Sequence, residues 1–317
     1  MGRPIYGHLS SDPPLRELAA TIEGEGRMIT RRRMLQGAAL AGFGLARGVW
    51  AAGGVGTLGA TLSAIEADSG GRLGVAILDT ATGARCGHRA DERFAMCSTF
   101  KLLAAGAILA RVDGGRERLD RRIRFAADRL IAYSPITREH AGGAGMTLGE
   151  LCEAAITYSD NTAANMLLAA LGGPTAITAY ARTLGDRATR LDRIEPELNQ
   201  AAPGDPRDVT TPAAMLGNLR RLTLRDALTP ASRDQLTRWL RANKTGDARL
   251  RAQLPAGWRV GDKTGSGGHG STNDVGLLWP PDRAPILVSA YLTQTDAPPA
   301  QRDATLAAVG RAVAEAV

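Results

Sequence analysis

Strand-type segments lie only near the two ends of this 317-residue chain, and the long stretch between them, from about Ser98 to Leu240, reads mostly as helix. Leu73–Asp79 is a short apolar strand, and Ala81-Thr82-Gly83 turns it toward a second strand near Cys86-Gly87-His88. Strands return only at Trp258–Asp262, Asp274–Trp279 and Ile286–Thr293. Helical patterns cover Leu58–Ser69, Leu148–Tyr158, Thr162–Leu171, Thr175–Leu184, Pro212–Leu222 and Pro230–Leu240, and an amphipathic one closes the chain from about Ala300 to Ala316. Few architectures accept that order. Both chain ends build one α/β layer, and the middle inserts as an all-helical lobe. The expected domains are 53–96 together with 241–317 for the α/β part, and 97–240 for the helical part. The helical part carries an irregular loop, about Arg190 to Thr210, with Pro196, Pro203, Gly204 and Pro206. A loop that long is usually functional or disordered, and a site belongs in the cleft between the two parts.

Residues 1–27 are polar and without period. Met28–Gln36 is rich in arginine and precedes a moderately apolar, Gly/Ala-rich run to about Trp50. That order makes an export signal, and Arg31-Arg32 resembles the twin-arginine type. Residues 1–52 are therefore expected to be an N-terminal extension and signal peptide, with translation starting at Met28, cleavage near Val49-Trp50-Ala51, and a periplasmic destination. The run is too short and too Gly-interrupted for a membrane span, so no stable membrane association is expected after cleavage. The net charge of +7 rests on scattered arginines, and aromatics are only 4%, which argues against a nucleic-acid surface. Cys86, Cys97 and Cys152, and the four histidines, have no metal-ligand spacing, so neither metal nor cofactor is expected.

The chemistry concentrates in four short motifs. In the first, Ser98 and Lys101 stand one helical turn apart at the head of the apolar run Leu102–Ala110. Serine is a preferred helix starter, so a capped helix with a snorkelling lysine accounts for the pair when it stands alone. Composition argues for more. Only Lys101, Lys244 and Lys263 are lysines among 39 Lys+Arg. A chain so committed to arginine keeps a lysine where arginine will not serve, and a base is such a place, because a guanidinium does not deprotonate. The second motif is Ser159-Asp160-Asn161, between two helices; its hydroxyl can relay a proton and its amide can hold a carbonyl. The third is Lys263-Thr264-Gly265-Ser266, after an apolar strand and suited to a carboxylate. Lys244-Thr245-Gly246 matches the same triplet, but it ends a helix, so the later copy is preferred. The fourth is Glu195-Pro196-Glu197-Leu198-Asn199 in the irregular loop, where a carboxylate and an amide four apart can grip one water.

This set, in this order, resembles that of the class A serine β-lactamases over about Leu58 to Val317. The resemblance implies an antiparallel sheet built from both chain ends, flanked by helices, with an inserted helical domain carrying an Ω-like loop at 190–208. It implies a monomeric hydrolase that opens the β-lactam ring of penicillins and cephalosporins through a serine acyl-enzyme, giving antibiotic resistance. Ser98 is then the nucleophile, Lys101 and Ser159 its proton partners, and Asn161 the holder of the substrate amide. Glu195 and Asn199 position the deacylating water. Lys263, Thr264 and Ser266 line the carboxylate side, with the amides of Ser98 and Ser266 forming the oxyanion hole. Tyr133 matches a gatepost at the cleft mouth, and Arg249 a carboxylate-binding arginine. Arg193 and Asp208 match the ion pair at the loop's ends, and Glu195-Pro196 matches a bond usually cis. Two disulfides known in the family would need partners at Ala105 and Gly267, so neither Cys152 nor Cys97 can form them. The rival readings are a D,D-peptidase acting on cell-wall peptide and a β-lactam sensor that stays acylated. Both share three motifs but lack the Glu195 loop.

Overall fold

The computed structural model describes residues 52–317, with side chains from residue 57 onward; the extension and export signal expected over residues 1–52 lie outside them except for Ala52, which opens the first helix. Helix α1 (Ala52–Ser69) leads into the hairpin β1 (Arg72–Asp79) and β2 (Arg85–His88). After the two-residue strand β3 (Phe94–Ala95) comes α2 (Phe100–Asp113), then β4 (Arg122–Ile123), β5 (Met146–Thr147), α3 (Leu148–Thr157), α4 (Asn161–Leu171) and α5 (Thr175–Thr183). The irregular loop follows, ending at β6 (Val209–Thr210), and α6 (Pro212–Leu224) and α7 (Pro230–Arg241) complete the helical stretch. Strands β7 (Arg259–Ser266), β8 (Thr272–Trp279) and β9 (Ile286–Thr293) and helix α8 (Pro299–Glu315) close the chain.

The main sheet has the order β2-β1-β9-β8-β7, antiparallel throughout, so strands from both chain ends meet where β1 pairs β9. Side chains alternate between its faces with the two-residue period of a strand. Leu73, Val75 and Ile77 of β1 and Val288, Ala290 and Leu292 of β9 share a cluster with Leu58 and Leu62 of α1 and Leu306, Val309 and Val313 of α8. Ala76, Leu78, Leu287 and Tyr291 face the other way and join the core that runs through α2, α3, α4, α6 and α7. Both faces are covered, which is why β9 reads as the almost unbroken apolar run Ile286–Thr293. Among the described residues no helix is long and apolar enough to cross a membrane.

Three local expectations need correction. Ser98 does not cap a helix. It sits in a 3-10 turn, Cys97–Thr99, and α2 starts at Phe100 without a side-chain cap, because the Thr99 hydroxyl bonds Met96 O instead. Strand β7 runs on through Lys263-Thr264-Gly265-Ser266, since those polar residues pair in register with β8, Ser266 opposite Thr272. The middle is also not purely helical: β3 pairs β6 and β4 pairs β5 as short antiparallel ladders.

Candidate active site

The Ser98 turn is fixed from two sides. Asn273 of β8 donates through Nδ2 to Ala95 O at 3.0 Å and Met96 O at 3.1 Å. Strand β7 presses close where it has no side chain: a Cβ on Gly265 would lie 2.9 Å from Met96 O and 3.2 Å from the Ser98 amide nitrogen. Glycine is required there for backbone-to-backbone approach. Cys97, Tyr133 and Ser159 all hold positive φ, at 46°, 60° and 58°. Such strained non-glycine backbone persists only where surrounding packing over-determines it, and it clusters at functional sites.

Lys101 is fully buried. Its Nζ lies 2.7 Å from Ser159 O, 2.7 Å from Asn161 Oδ1, 3.0 Å from Glu195 Oε1 and 3.3 Å from Ser159 Oγ. Three ammonium hydrogens are thus surrounded by four acceptors. Burial lowers the Lys101 pKa below the ordinary lysine value, and the Glu195 carboxylate opposes that shift. Lys263, also buried, donates to Ser159 Oγ at 3.1 Å and Thr264 O at 2.9 Å. Its pKa falls well below the ordinary value through burial first, then the neighbouring charges of Lys101 and Arg249. The Ser159 hydroxyl therefore bridges two lysines. With both lone pairs engaged, its own proton is left for a group in the cleft. Asp160, between the two named members of that motif, is structural. It caps α4 through Ala163 N at 2.8 Å and takes hydrogen bonds from Ile136 N, Thr137 N and Thr137 Oγ1.

The loop delivers Glu195 to Ser98. Ser98 Oγ donates to Glu195 Oε1 at 3.2 Å, so the carboxylate, rather than Lys101, is the acceptor next to Ser98. Asn199 donates through Nδ2 to Glu195 Oε2. Among the described residues, no hydrogen-bond partner meets the buried Asn199 Oδ1. The Glu195-Pro196 bond is cis. Arg193 Nε meets Asp208 Oδ2 at 2.6 Å across the loop's base, and Asp208 Oδ1 accepts the amides of Asp192 and Arg193. Sequence reasoning missed Asn165. It stands one turn beyond Asn161 on α4, takes the Glu195 amide on Oδ1 at 2.9 Å and donates to Glu195 O at 2.8 Å. The one available signal was the i, i+4 spacing of the two asparagines.

Ser98, Tyr133, Ser159, Asn161, Asn199, Arg249, Thr264 and Ser266 line one cleft of about 530 Å³. Tyr133 is 57% exposed at its edge. Lys244 and Thr245 line it as well, so the earlier Lys-Thr-Gly copy shares the site. Thr245 Oγ1 lies 2.5 Å from Thr264 Oγ1. Preference for the later copy rests on burial: Lys263 is enclosed beside Ser159 while Lys244 is exposed. Arg249 is largely spoken for. Its Nε pairs with Asp303 at 2.8 Å, its Nη1 donates to Gly265 O and Asn273 O, and its Nη2 donates to Ser266 Oγ at 2.7 Å. It bears on a ligand chiefly by fixing Ser266. Cys97 is buried behind the turn, and a Cβ on Gly267 would lie 2.6 Å from its sulfur. Burial pushes that thiol up to about 12, which keeps it unreactive.

Comparison with known proteins places the chain in a family. The model of the β-lactamase enzyme family matches residues 57–317. Beta-lactamase CTX-M-8 of Citrobacter amalonaticus is 52% identical over 254 residues, covering 80% of this chain and 87% of the relative. Beta-lactamase OXY-2 of Klebsiella oxytoca is 49% identical over 254 residues, covering the same shares. Among solved structures, an ancestral class A β-lactamase superposes with a TM-score of 0.81 at 66% identity, covering 82% of this chain and all of its own. Ser98, Lys101, Ser159, Lys263 and Glu195 are linked by direct polar contacts, and the chain belongs to the β-lactamase enzyme family, as a class A serine β-lactamase.

Proposed function

We propose that this β-lactamase works through an acyl-enzyme on Ser98 that Glu195 clears. Hydrolysis of β-lactams, and the resistance it confers, comes with the family; the division of labour among residues is our reading. Ser98 Oγ adds to the ring carbonyl carbon while its proton passes to the Glu195–Lys101 pair. The developing oxyanion is held by the amides of Ser98 and Ser266, where charge appears only in the tetrahedral state. The ring C–N bond then breaks, and its nitrogen takes the Ser159 proton, which the adjoining lysines replace. A water gripped by Glu195 and Asn199 attacks the acyl carbon, Glu195 takes its proton and passes it to Ser98 Oγ as the acyl–oxygen bond breaks, and Ser98 leaves as the hydroxyl with Glu195 again a carboxylate. Asn161 holds the substrate amide, Lys263, Thr264 and Ser266 its carboxylate, and Tyr133 borders the entrance. The observation that carries this reading is the single carboxylate oxygen 3.2 Å from Ser98 Oγ and 3.0 Å from Lys101 Nζ. Steady-state rates on a penicillin and a cephalosporin test it. Ser98→Ala should fold and lose ring opening by several orders of magnitude, and near-wild-type turnover would end the assignment.

We read segments 53–96 and 241–317 as one domain and 97–240 as the other, with the cleft between them. We also infer a periplasmic monomer exported by the twin-arginine route. The Arg31-Arg32 pair ahead of the apolar run supports that route, and so do Cys97 and Cys152, which form no disulfide. Mass spectrometry of the exported protein should find residues 1 to about 51 removed; an intact Met1 would refute the cleavage.

A further inference from the structure

A second cleft, of about 490 Å³, is walled by the end of α5, by α6 and by strand β2, and four of its lining residues are arginines: Arg85, Arg220, Arg221 and Arg225. None of these residues lines the catalytic cleft. Two acids share the cleft, and both are engaged. Asp186 accepts the amides of Ala188 and Thr189 and the Nδ2 of Asn218, and Asp226 pairs with Arg221 at 3.2 Å. Among the described residues, no ion pair or hydrogen bond engages the guanidinium of Arg85, Arg220 or Arg225. Arginine at a helix C-terminus complements the helix dipole, which accounts for part of the α6 group. It does not account for Arg85, brought in from β2 by the fold. Burial, then the charges of Arg225 and Arg85, lower the Arg220 guanidinium below its ordinary value.

The cleft also has room. Gly217 of α6 is a lining residue, and a Cβ there would meet nothing within 4 Å. Asn218 of the cleft wall is 1% exposed and is held in place by its Nδ2 bond to Asp186 Oδ2. We propose that this cleft binds a small polyvalent phosphate, of the pyrophosphate or phosphate-ester class, between Arg85, Arg220 and Arg225. Guanidinium groups match phosphate oxygens two by two, and three charges that cannot deprotonate gain most from a multiply charged partner.

Inorganic pyrophosphate is the probe, titrated calorimetrically into the mature protein. The expected result is 1:1 binding that weakens as salt rises, and that Arg220→Ala/Arg225→Ala weakens about tenfold or more, the usual scale for lost charge-assisted hydrogen bonds. Gly217→Phe keeps every arginine but fills the open space; it should abolish binding and leave cephalosporin hydrolysis unchanged. Absence of binding in the wild type, or equal binding in both variants, would overturn the proposal. So would competitive inhibition of hydrolysis at the same pyrophosphate concentration in wild type and variants, because the anion would then sit in the catalytic cleft. Retention on phosphatidylglycerol vesicles without any response to pyrophosphate would replace the small ligand by a membrane surface.

Discussion

Replacing Asn165 by alanine isolates the anchoring of the catalytic loop from the chemistry itself. The side chain reaches no substrate-facing atom of Glu195; it holds the backbone on both sides, at 2.9 Å to the amide and 2.8 Å to the carbonyl. Alanine keeps helix α4 intact, since it is the best helix former. Two hydrogen bonds are lost, each worth roughly 1 kcal/mol net, and two backbone groups beside a buried carboxylate lose their partners at a further cost, giving about 2–4 kcal/mol in all. At about 2–4 °C per kcal/mol for a domain of this size, melting should fall by roughly 5–15 °C. Glu195 would then be tethered only by Asn199, Lys101 and its neighbours. A displacement on the order of 1 Å at the attacking water costs about a hundredfold in rate, so deacylation should slow by at least about tenfold while acylation slows less. Thermal unfolding by circular dichroism, with stopped-flow separation of the two steps, reads both quantities. A melting point within about 1 °C of wild type and an unchanged deacylation rate would refute the anchoring role.

Two further outcomes follow from charged groups. Arg249→Ala should raise KM for penicillins more than it lowers kcat, because the guanidinium fixes Ser266 Oγ rather than touching the nucleophile; an unchanged kcat/KM would mean that Lys263 and Thr264 suffice. Glu66 ties α1 to the first hairpin through His88, Arg89 and the Leu73 amide. Burial opposes its ionisation, but Arg89, the Leu73 amide and His88 prevail and bring its pKa down to about 2. A carboxyl depressed on folding contributes stability that is complete above its unfolded pKa, about 4.5, and is lost as pH falls toward 2. Glu66→Gln should therefore destabilise by about 2–3 kcal/mol at pH 7, a difference that shrinks below pH 4.5 in urea melts; a gap that persists at pH 2 would contradict the linkage.

Features with a local or periodic signature were legible in the sequence. Strand β9 and the helices α3 to α5 carry their own apolar pattern, and the structure ends them within a residue or so of the expected limits. Ser98, Lys101, Ser159, Glu195 and Lys263 declare themselves because reactive side chains recur at fixed spacings. Features set by distant partners were not legible. The polar run Lys263–Ser266 is strand only because β8 pairs with it. The Ser98 turn is 3-10 because Asn273, far along the chain, holds its entry. Asn165 serves a backbone and leaves no motif, and Arg249 is directed by Asp303, fifty-four residues away. A repeated triplet does not show in sequence that the fold brings both copies, Thr245 and Thr264 included, to one wall.

The central claim is that Glu195 drives the second step and Ser98 the first, and intact-protein mass spectrometry after mixing with a penicillin tests it most directly. Glu195→Gln keeps the size and hydrogen bonding of the side chain but removes the base. The account predicts one penicilloyl adduct on the variant, lasting minutes or longer, and none on the wild type at steady state, since loss of a general base costs on the order of a hundredfold or more. A variant that turns over as fast as wild type, or a wild type that itself accumulates a long-lived adduct, would contradict it.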